Sequence, residues 1–173
     1  MMRPDLGIPE KNLDAIYEIL NKVLADGNIL YIKLRKYHWN LSGDNFMELH
    51  LLFEDQYDAV AEAIDAVAER ISTLGGTAIG TTSEFAKYSQ LTEAPGKVPD
   101  TQGMLHDLVN DHESIIKSLR QFIDDTDEKY GDVGTSDFLT GLIQDHEKMA
   151  WKLRKFFKET PATPAPAKKT TKK

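Results

Sequence analysis

Residues 38–69 read HWNLSGDNFMELHLLFEDQYDAVAEAIDAVAE, and this stretch decides what is expected of the whole chain. A His-Trp pair ends one apolar-periodic segment, a short Leu-Ser-Gly-Asp-Asn break follows, and a second periodic segment begins. On a helix at about 100° per residue, one apolar stripe emerges, formed by Phe53, Val60, Ile64, Val67 and Ile71. Four ligand-type side chains share the flank beside this stripe: His50, Glu54, Asp65 and Glu69.

Imidazoles and carboxylates of this kind suit a divalent first-row metal. Glu54 and Asp65 are 11 residues apart, which is about 16 Å along a helix axis. Metal–ligand bonds are about 2 Å long, so one ion cannot hold both residues of the same helix. Either the two pairs are separate, or a two-fold axis sets one pair against the other pair of a second copy. A solvated helix face is the simpler alternative, because i,i+4 acid pairs usually face water.

The motifs are H-W-N, a second His 12 residues after the first, an acid four residues later, and D-x-V-A-E-R followed by L-G-G. Together they resemble the Dps family, the DNA-binding proteins from starved cells, which are dodecameric mini-ferritins. The resemblance covers residues 13–157. It implies a ferroxidase centre with His38, His50 and Glu54 from one subunit and Asp65 and Glu69 from its two-fold mate. The family usually has Asp where this chain has Glu54.

The resemblance implies oxidation of Fe(II), preferentially by hydrogen peroxide, and storage of ferric iron inside a hollow homododecameric shell. Zinc would compete for the same ligands, because it lies above iron in the affinity order. Trp39, beside a ligand, either accepts stray oxidising equivalents or anchors an interface. Three acids lie where the family lines its pores, namely Asp132, Asp137 and Asp145. For Asp137 the alternative is an ordinary acid in the first turn of a helix.

Composition predicts one domain with a substantial core, since the chain has 173 residues, 40% hydrophobic and 28% charged. It contains no apolar run near 18 residues and no signal-peptide pattern, so neither membrane insertion nor export is expected. We therefore expect a cytoplasmic protein. The absence of cysteine excludes disulfides and thiolate ligands.

The charge is distributed unevenly along the chain. Residues 158–173 hold five lysines and one acid, so the overall charge of −7 conceals a body, residues 1–157, that carries −11. The tail is rich in Pro and Lys and is predicted to be disordered. Several such tails on one oligomer would bind DNA phosphates non-specifically through Lys168, Lys169, Lys172 and Lys173, placing the protein at the nucleoid. The alternative is a tail that only aids solubility.

Periodicity predicts an all-α, ferritin-like four-helix bundle over residues 11–157, preceded by a flexible arm at residues 1–10. The four long helices are expected at about residues 11–40, 45–74, 101–125 and 136–157. Asp44 or Asn45 is expected to cap the second helix and a Gly-Gly pair to close it. A long crossover, residues 75–100, is expected to contain a short helix capped by Ser83. Residues 125–131 are expected to form a turn.

A metal site inside the bundle is not expected, because ferritin-type centres use Glu-x-x-His steps and the chain contains none. Two Asp-His-Glu triplets, at residues 111–113 and 145–147, are predicted to be helix-surface charge. A function of a different class is a structural DNA-coating protein of the nucleoid, whose metal site is vestigial or occupied by zinc.

Overall fold

The structure, a computed structural model, describes residues 4–157 and contains no strand within that range. Its helices are α1 (Glu10–Asn40), α2 (Phe46–Thr73), α3 (Thr82–Tyr88), α4 (Thr101–Asp124) and α5 (Val133–Arg154). A π-helical segment, Asp125–Lys129, extends α4. The predicted all-α bundle with a long crossover between its second and third long helices is confirmed. The four lysines predicted to bind DNA lie outside the described residues.

The bundle consists of two helix pairs, with α1 packed chiefly on α2 and α4 chiefly on α5. The predicted stripe of α2 faces the core: four of its five residues are buried, and Ile64 packs at the edge. Gly27 lies in the middle of α1, where a Cβ atom would come within 3.1 Å of the Ile64 side chain. The glycine therefore lets the two helices approach closely.

The C-terminus of α2 is closed by the glycine pair, as the sequence predicts. Gly75 adopts a φ of 91°, its N–H donates to the Ser72 carbonyl at 2.9 Å, and the Gly76 N–H donates to the Ile71 carbonyl at 2.9 Å. These two bonds form a Schellman motif, which satisfies carbonyls that have no partner within the helix. The chain then leaves α2 in the direction of the crossover.

The prediction that Ser83 caps the short crossover helix is wrong. Thr81 is the N-cap of α3, and it forms a capping box with Glu84, which accepts hydrogen bonds from Thr81 in return. Asp26, a buried residue of α1, holds the end of this helix by accepting bonds from the Ser89 hydroxyl at 2.7 Å and the Gln90 N–H at 2.9 Å. The short helix of the crossover is therefore stabilised locally by its capping box, and its end is held against α1 by Asp26.

The predicted boundaries between α4 and α5 are wrong by several residues. The expected turn is helical through Lys129, and α5 begins at Val133, not at Ser136. The reason is Asp132, whose carboxylate accepts the Thr135 N–H at 3.0 Å and caps a helix three residues earlier than expected. The far end of α5 is also earlier, at Arg154.

The interpretation of the Asp-His-Glu triplets as surface charge is wrong for three of their six residues. His112 is fully buried and His146 is buried, and their Nδ1 atoms are 2.9 Å apart. Asp111 is also buried, and it forms an ion pair with the Lys33 ammonium of α1 at 2.6 Å. Adjacent helical residues point about 100° apart, so one triplet contributes to the core and to the surface at once.

Candidate metal centre

The candidate centre is built where α1 ends and α2 begins. His38 lies in the last turn of α1, and His50 lies early in α2. The five-residue connection folds the second helix back on the first, so the two imidazoles stack with 3.7 Å between ring centroids and 17° between planes. Phe46 stacks on His50 as well, at 5.0 Å. Two residues 12 apart in sequence thus become neighbours.

Reciprocal hydrogen bonds orient both rings. His38 Nδ1 lies 2.9 Å from the His50 backbone oxygen, and His50 Nδ1 lies 3.2 Å from the His38 backbone oxygen. A carbonyl oxygen only accepts, so each Nδ1 carries the hydrogen and each Nε2 keeps its lone pair. Metal-binding histidines commonly have this second hydrogen bond, which holds the ring and selects its tautomer. Both rings are therefore prepared to bind a cation through Nε2.

Glu54 lies one turn beyond His50 on the same helix face, and it is half-buried. The Tyr57 hydroxyl donates to Glu54 Oε1 at 3.4 Å, and the Tyr57 ring meets His38 edge-on at 5.3 Å. Desolvation and the neighbouring Glu54 raise the pKa of Tyr57 above its ordinary value, so the phenol remains protonated. Tyr57 thus contacts two candidate ligands, Glu54 and His38. It is not among the residues predicted from the sequence. Its position three residues after Glu54 is the signal that would have found it.

The remaining two candidate ligands do not join this group in a single chain. Asp65 and Glu69 are exposed on the same flank of α2, further along the helix than Glu54. Within residues 4–157 of one chain, no three His, Asp or Glu side chains form a potential metal-binding group. The candidate ligands therefore lie in two separate sets, and neither set forms a metal-binding group by itself within the described residues.

The surface around the two sets contains large exposed apolar side chains. Trp39 is 64% exposed, Met47 is 56% exposed and Leu51 is 52% exposed. The Arg35 guanidinium lies over the Trp39 ring, 4.8 Å from its centroid. These exposed apolar side chains, with the arginine beside them, have the composition of a surface that contacts another protein chain.

The three acids predicted for a pore differ in their environments. Asp132 is buried, caps α5 and accepts from Arg70 Nη2 at 3.2 Å, so its carboxylate is already engaged. Asp137 and Asp145 are exposed on α5. Because α5 begins at Val133, Asp137 lies beyond the first turn and is not explained by an N-terminal preference for acids. Of the three carboxylates, these two alone face solvent.

No helix in residues 4–157 is long and apolar enough to span a membrane.

The comparisons with known proteins agree with one another. A family model described as a ferritin-like domain matches residues 17–163. DpsC from Streptomyces coelicolor has a TM-score of 0.88 and 34% identity, covering 94% of both chains. Dps from Vibrio cholerae O1, described as a member of a broad superfamily of ferritin-like diiron-carboxylate proteins, has a TM-score of 0.82 and 30% identity, covering 91% of this chain and 99% of its own. A DNA protection during starvation protein of Listeria innocua is 37% identical over 123 residues, which are 70% of this chain and 78% of that protein. The chain therefore belongs to the Dps family of ferritin-like proteins.

Proposed function

We propose that this protein oxidises Fe(II) with hydrogen peroxide at sites shared between two subunits, and stores the ferric product inside a hollow homododecamer. The observation that carries this proposal is the reciprocal hydrogen bonding of His38 and His50, which leaves both Nε2 atoms as ligands. Neutral imidazole is a good ligand for ferrous iron. The description of a Dps relative as a diiron-carboxylate protein supports the same chemistry.

The second half of each site would come from another copy of the chain. Asp65 and Glu69 are exposed on the flank of α2 that also carries Met47 and Leu51, so an isologous contact along α2 would bury apolar surface and join the two sets of ligands. Such a contact generates two identical sites per dimer. Trp39 would lie at this interface, either as an anchor or as an acceptor of stray oxidising equivalents.

The proposed chemistry follows from the charge of the ligands. Three carboxylates, Glu54, Asp65 and Glu69, stabilise Fe(III) over Fe(II), because hard anionic ligands favour the higher charge. Peroxide accepts one electron from each of two ferrous ions, takes up protons and leaves as water. Tyr57 would hold the Glu54 carboxylate through its hydroxyl, which compensates for the longer side chain at this position. Zinc would occupy the same ligands without changing oxidation state.

Iron would reach the interior through acid-lined openings to which Asp137 and Asp145 contribute, since rings of carboxylates attract cations. Asp132 is not included, because its carboxylate is bound to Arg70 and to its own helix terminus.

We also propose non-specific DNA binding through the lysines of residues 158–173. The name of the Listeria relative, a DNA protection protein, supports this role. The acidic body opposes DNA, so binding would depend on the tail and on salt. We expect the protein in the cytoplasm, at the nucleoid. The competing function is a DNA-coating protein with a vestigial or zinc-occupied metal site.

The decisive experiment is anaerobic loading of the protein with Fe(II), followed by a peroxide pulse and measurement of ferric absorbance and iron solubility. We expect rapid oxidation with soluble iron in the wild type and strong loss in His50→Ala and Asp65→Ala. His106→Ala is a matched control, since His106 is exposed and stacks on Phe157 outside the centre. Oxidation no faster than that of free iron, in zinc-free protein, would refute the ferroxidase and favour the DNA-coating function.

A further inference from the structure

A ten-residue pattern of α4 is repeated in α5. Residues 111–120 read DHESIIKSLR and residues 145–154 read DHEKMAWKLR, so Asp, His, Glu, Leu and Arg recur at identical spacing. The two copies contact each other reciprocally. Glu113 of the first binds Arg154 of the second at 2.9 Å, and Arg120 of the first binds Glu147 of the second. The partners run in opposite order, so the repeats form an antiparallel, pseudo-two-fold pair.

The two histidines of the repeat meet beneath these surface ion pairs. His112 has no exposed surface, His146 has 7%, and their Nδ1 atoms are 2.9 Å apart. A hydrogen bond between two imidazole nitrogens requires one N–H and one bare nitrogen. The contact therefore exists only while at least one Nδ1 is unprotonated, and in this apolar setting both rings are neutral.

Burial determines which ring donates. His112 Nε2 is buried without a partner. If His146 donated, neutral His112 would carry its hydrogen on Nε2, where no acceptor is present, so the favoured donor is His112 Nδ1. His146 then accepts through Nδ1 and carries its own hydrogen on Nε2. His146 also lines a groove of about 460 Å³ between α2 and α5, whereas His112 does not. A proton from solvent therefore reaches the pair through His146.

The surroundings of the pair do not favour a cation. From α1 and α2, the residues that line the small cavity beside His146 are apolar or glycine: Val23, Gly27, Val60, Ala63, Ile64 and Val67. The charged residues of the groove nearly balance: Asp55, Glu62, Asp145, Lys148 and Lys152. The positive charge of Arg154 opposes protonation of His112, and a charge on His146 would oppose it as well. The α4 acid beside it, Asp111, is bound to Lys33.

We propose that the His112–His146 pair is an acid-sensitive contact between α4 and α5, which joins the helices while both rings are neutral and breaks when His146 is protonated. A protonated His146 carries a hydrogen on both ring nitrogens and can no longer accept from His112 Nδ1. A reversed bond would need the His112 hydrogen on Nε2, where no acceptor is present. The hydrogen bond is therefore lost, and a charge remains in an apolar site. The pseudo-symmetric Glu–Arg pairs at the surface cannot compensate, since exposed ion pairs contribute little.

The pKa values indicate the pH range of this effect. Burial lowers the pKa of His146 to about 4, and burial with the neighbouring His146 lowers the pKa of His112 well below its ordinary value. In the unfolded chain histidine titrates near pH ~6.5. The opened state therefore binds more protons, and stability falls as pH decreases from about 6.5 towards 4. At pH ~5, linkage at His146 alone raises the opening constant by about 20-fold relative to pH 7.

The test is amide hydrogen exchange of the full-length protein, measured by mass spectrometry at pH 7 and pH 5 and corrected for intrinsic exchange. We compare the wild type with His112→Leu/His146→Met, which fills the site with apolar side chains of similar size, and with the control His106→Gln. In the wild type and the control, protection of α4 and α5 is expected to fall by about 20-fold or more between pH 7 and pH 5. In the double variant that difference is expected to be much smaller.

A second measurement needs no variant. Exchange of the imidazole C2 hydrogen in the wild type reports the titration of each histidine, and both rings of the pair should remain neutral at pH 5. The proposal is overturned if either ring is charged at pH 6, or if all three proteins lose the same protection in α4 and α5.

Discussion

His38 and His50 each donate an Nδ1 hydrogen to the backbone carbonyl of the other, at 2.9 Å and 3.2 Å. The orientation and tautomer of both rings are thus set by the connection between α1 and α2. Preorganised ligands lose less conformational freedom on binding. The proposed site would therefore have its histidines already oriented within one subunit, and its second part would be the carboxylate pair located further along α2.

Mixed oligomers test whether the site is shared. A dimer of one His50→Ala subunit and one Asp65→Ala subunit contains one site with both defects and one intact site. After unfolding and co-refolding of an equal mixture, we expect about one quarter of the wild-type fast oxidation, because about half of the dimers are mixed and each has one of two sites intact. The measurement is the amplitude of ferric absorbance after a peroxide pulse.

The controls are each variant refolded alone, which should show no fast phase. An equal mixture of wild type and His50→Ala, treated in the same way, shows how much oxidation activity is recovered after refolding. If the co-refolded pair remains inactive while the calibration mixture is active, all ligands belong to one chain and the shared site is refuted.

Removal of residues 158–173 tests the DNA proposal. The truncated protein should fail to retard DNA at low salt. It should oxidise Fe(II) at the wild-type rate, because all five candidate ligands lie on α1 and α2. Replacement of Lys168, Lys169, Lys172 and Lys173 by Gln is the matched control, because it keeps the length of the tail and removes four positive charges. This variant should also fail to retard DNA. Gel mobility across a salt series provides the measurement; retardation that survives both changes would place DNA binding elsewhere.

The buried ion pair of Lys33 and Asp111 predicts a large stability effect. Lys33→Met leaves a buried carboxylate without its cation, which should lower the free energy of unfolding by about 3 kcal/mol at neutral pH. Burial already raises the pKa of Asp111 despite Lys33, so the loss should shrink as pH falls and the carboxyl becomes neutral. Urea unfolding at a fixed subunit concentration, carried out at neutral and at lower pH, measures the loss of stability and its dependence on pH.

Lys33→Met/Asp111→Leu should recover most of that loss, because no unpaired charge remains. Arg154→Met removes the exposed pair with Glu113 and should cost less than about 1 kcal/mol. Equal effects of Lys33→Met and Arg154→Met would contradict the assignment of a buried pair.

Alanine substitutions at two glycines distinguish the cost of backbone strain from the cost of steric overlap. Gly96 has a φ of 72°, and a Cβ atom added there would meet no other atom within 4 Å. Gly96→Ala should therefore cost roughly 1–2 kcal/mol from conformation alone. Gly75 has a φ of 91°, and its Cβ would come within 2.7 Å of the Pro4 ring. Gly75→Ala should lower the thermal midpoint more than Gly96→Ala; an equal shift would mean that the Pro4 segment simply moves away.

Local sequence patterns were sufficient to predict where the long helices lie. The apolar stripes of α1, α2 and α4 predicted their position and core face, because a period near 3.6 residues repeats over many turns. The stripe of α2 and the glycine closure at Gly75 were confirmed in this way. Boundaries set by single side chains were less predictable: Thr81 caps α3 where Ser83 was expected, and Asp132 starts α5 three residues before the expected position.

The sequence by itself determined the bundle, the two pairs of candidate ligands on α2 and the charge contrast between residues 1–157 and residues 158–173. Only the tertiary structure decided which polar residues belong to the interior. Asp111, His112 and His146 resemble surface residues by composition, yet each is buried because its partner, Lys33 or the other histidine, is brought to it by a different helix. A polar group is stable inside a protein only when such a partner is present, and a partner tens of residues away leaves no local pattern in the sequence.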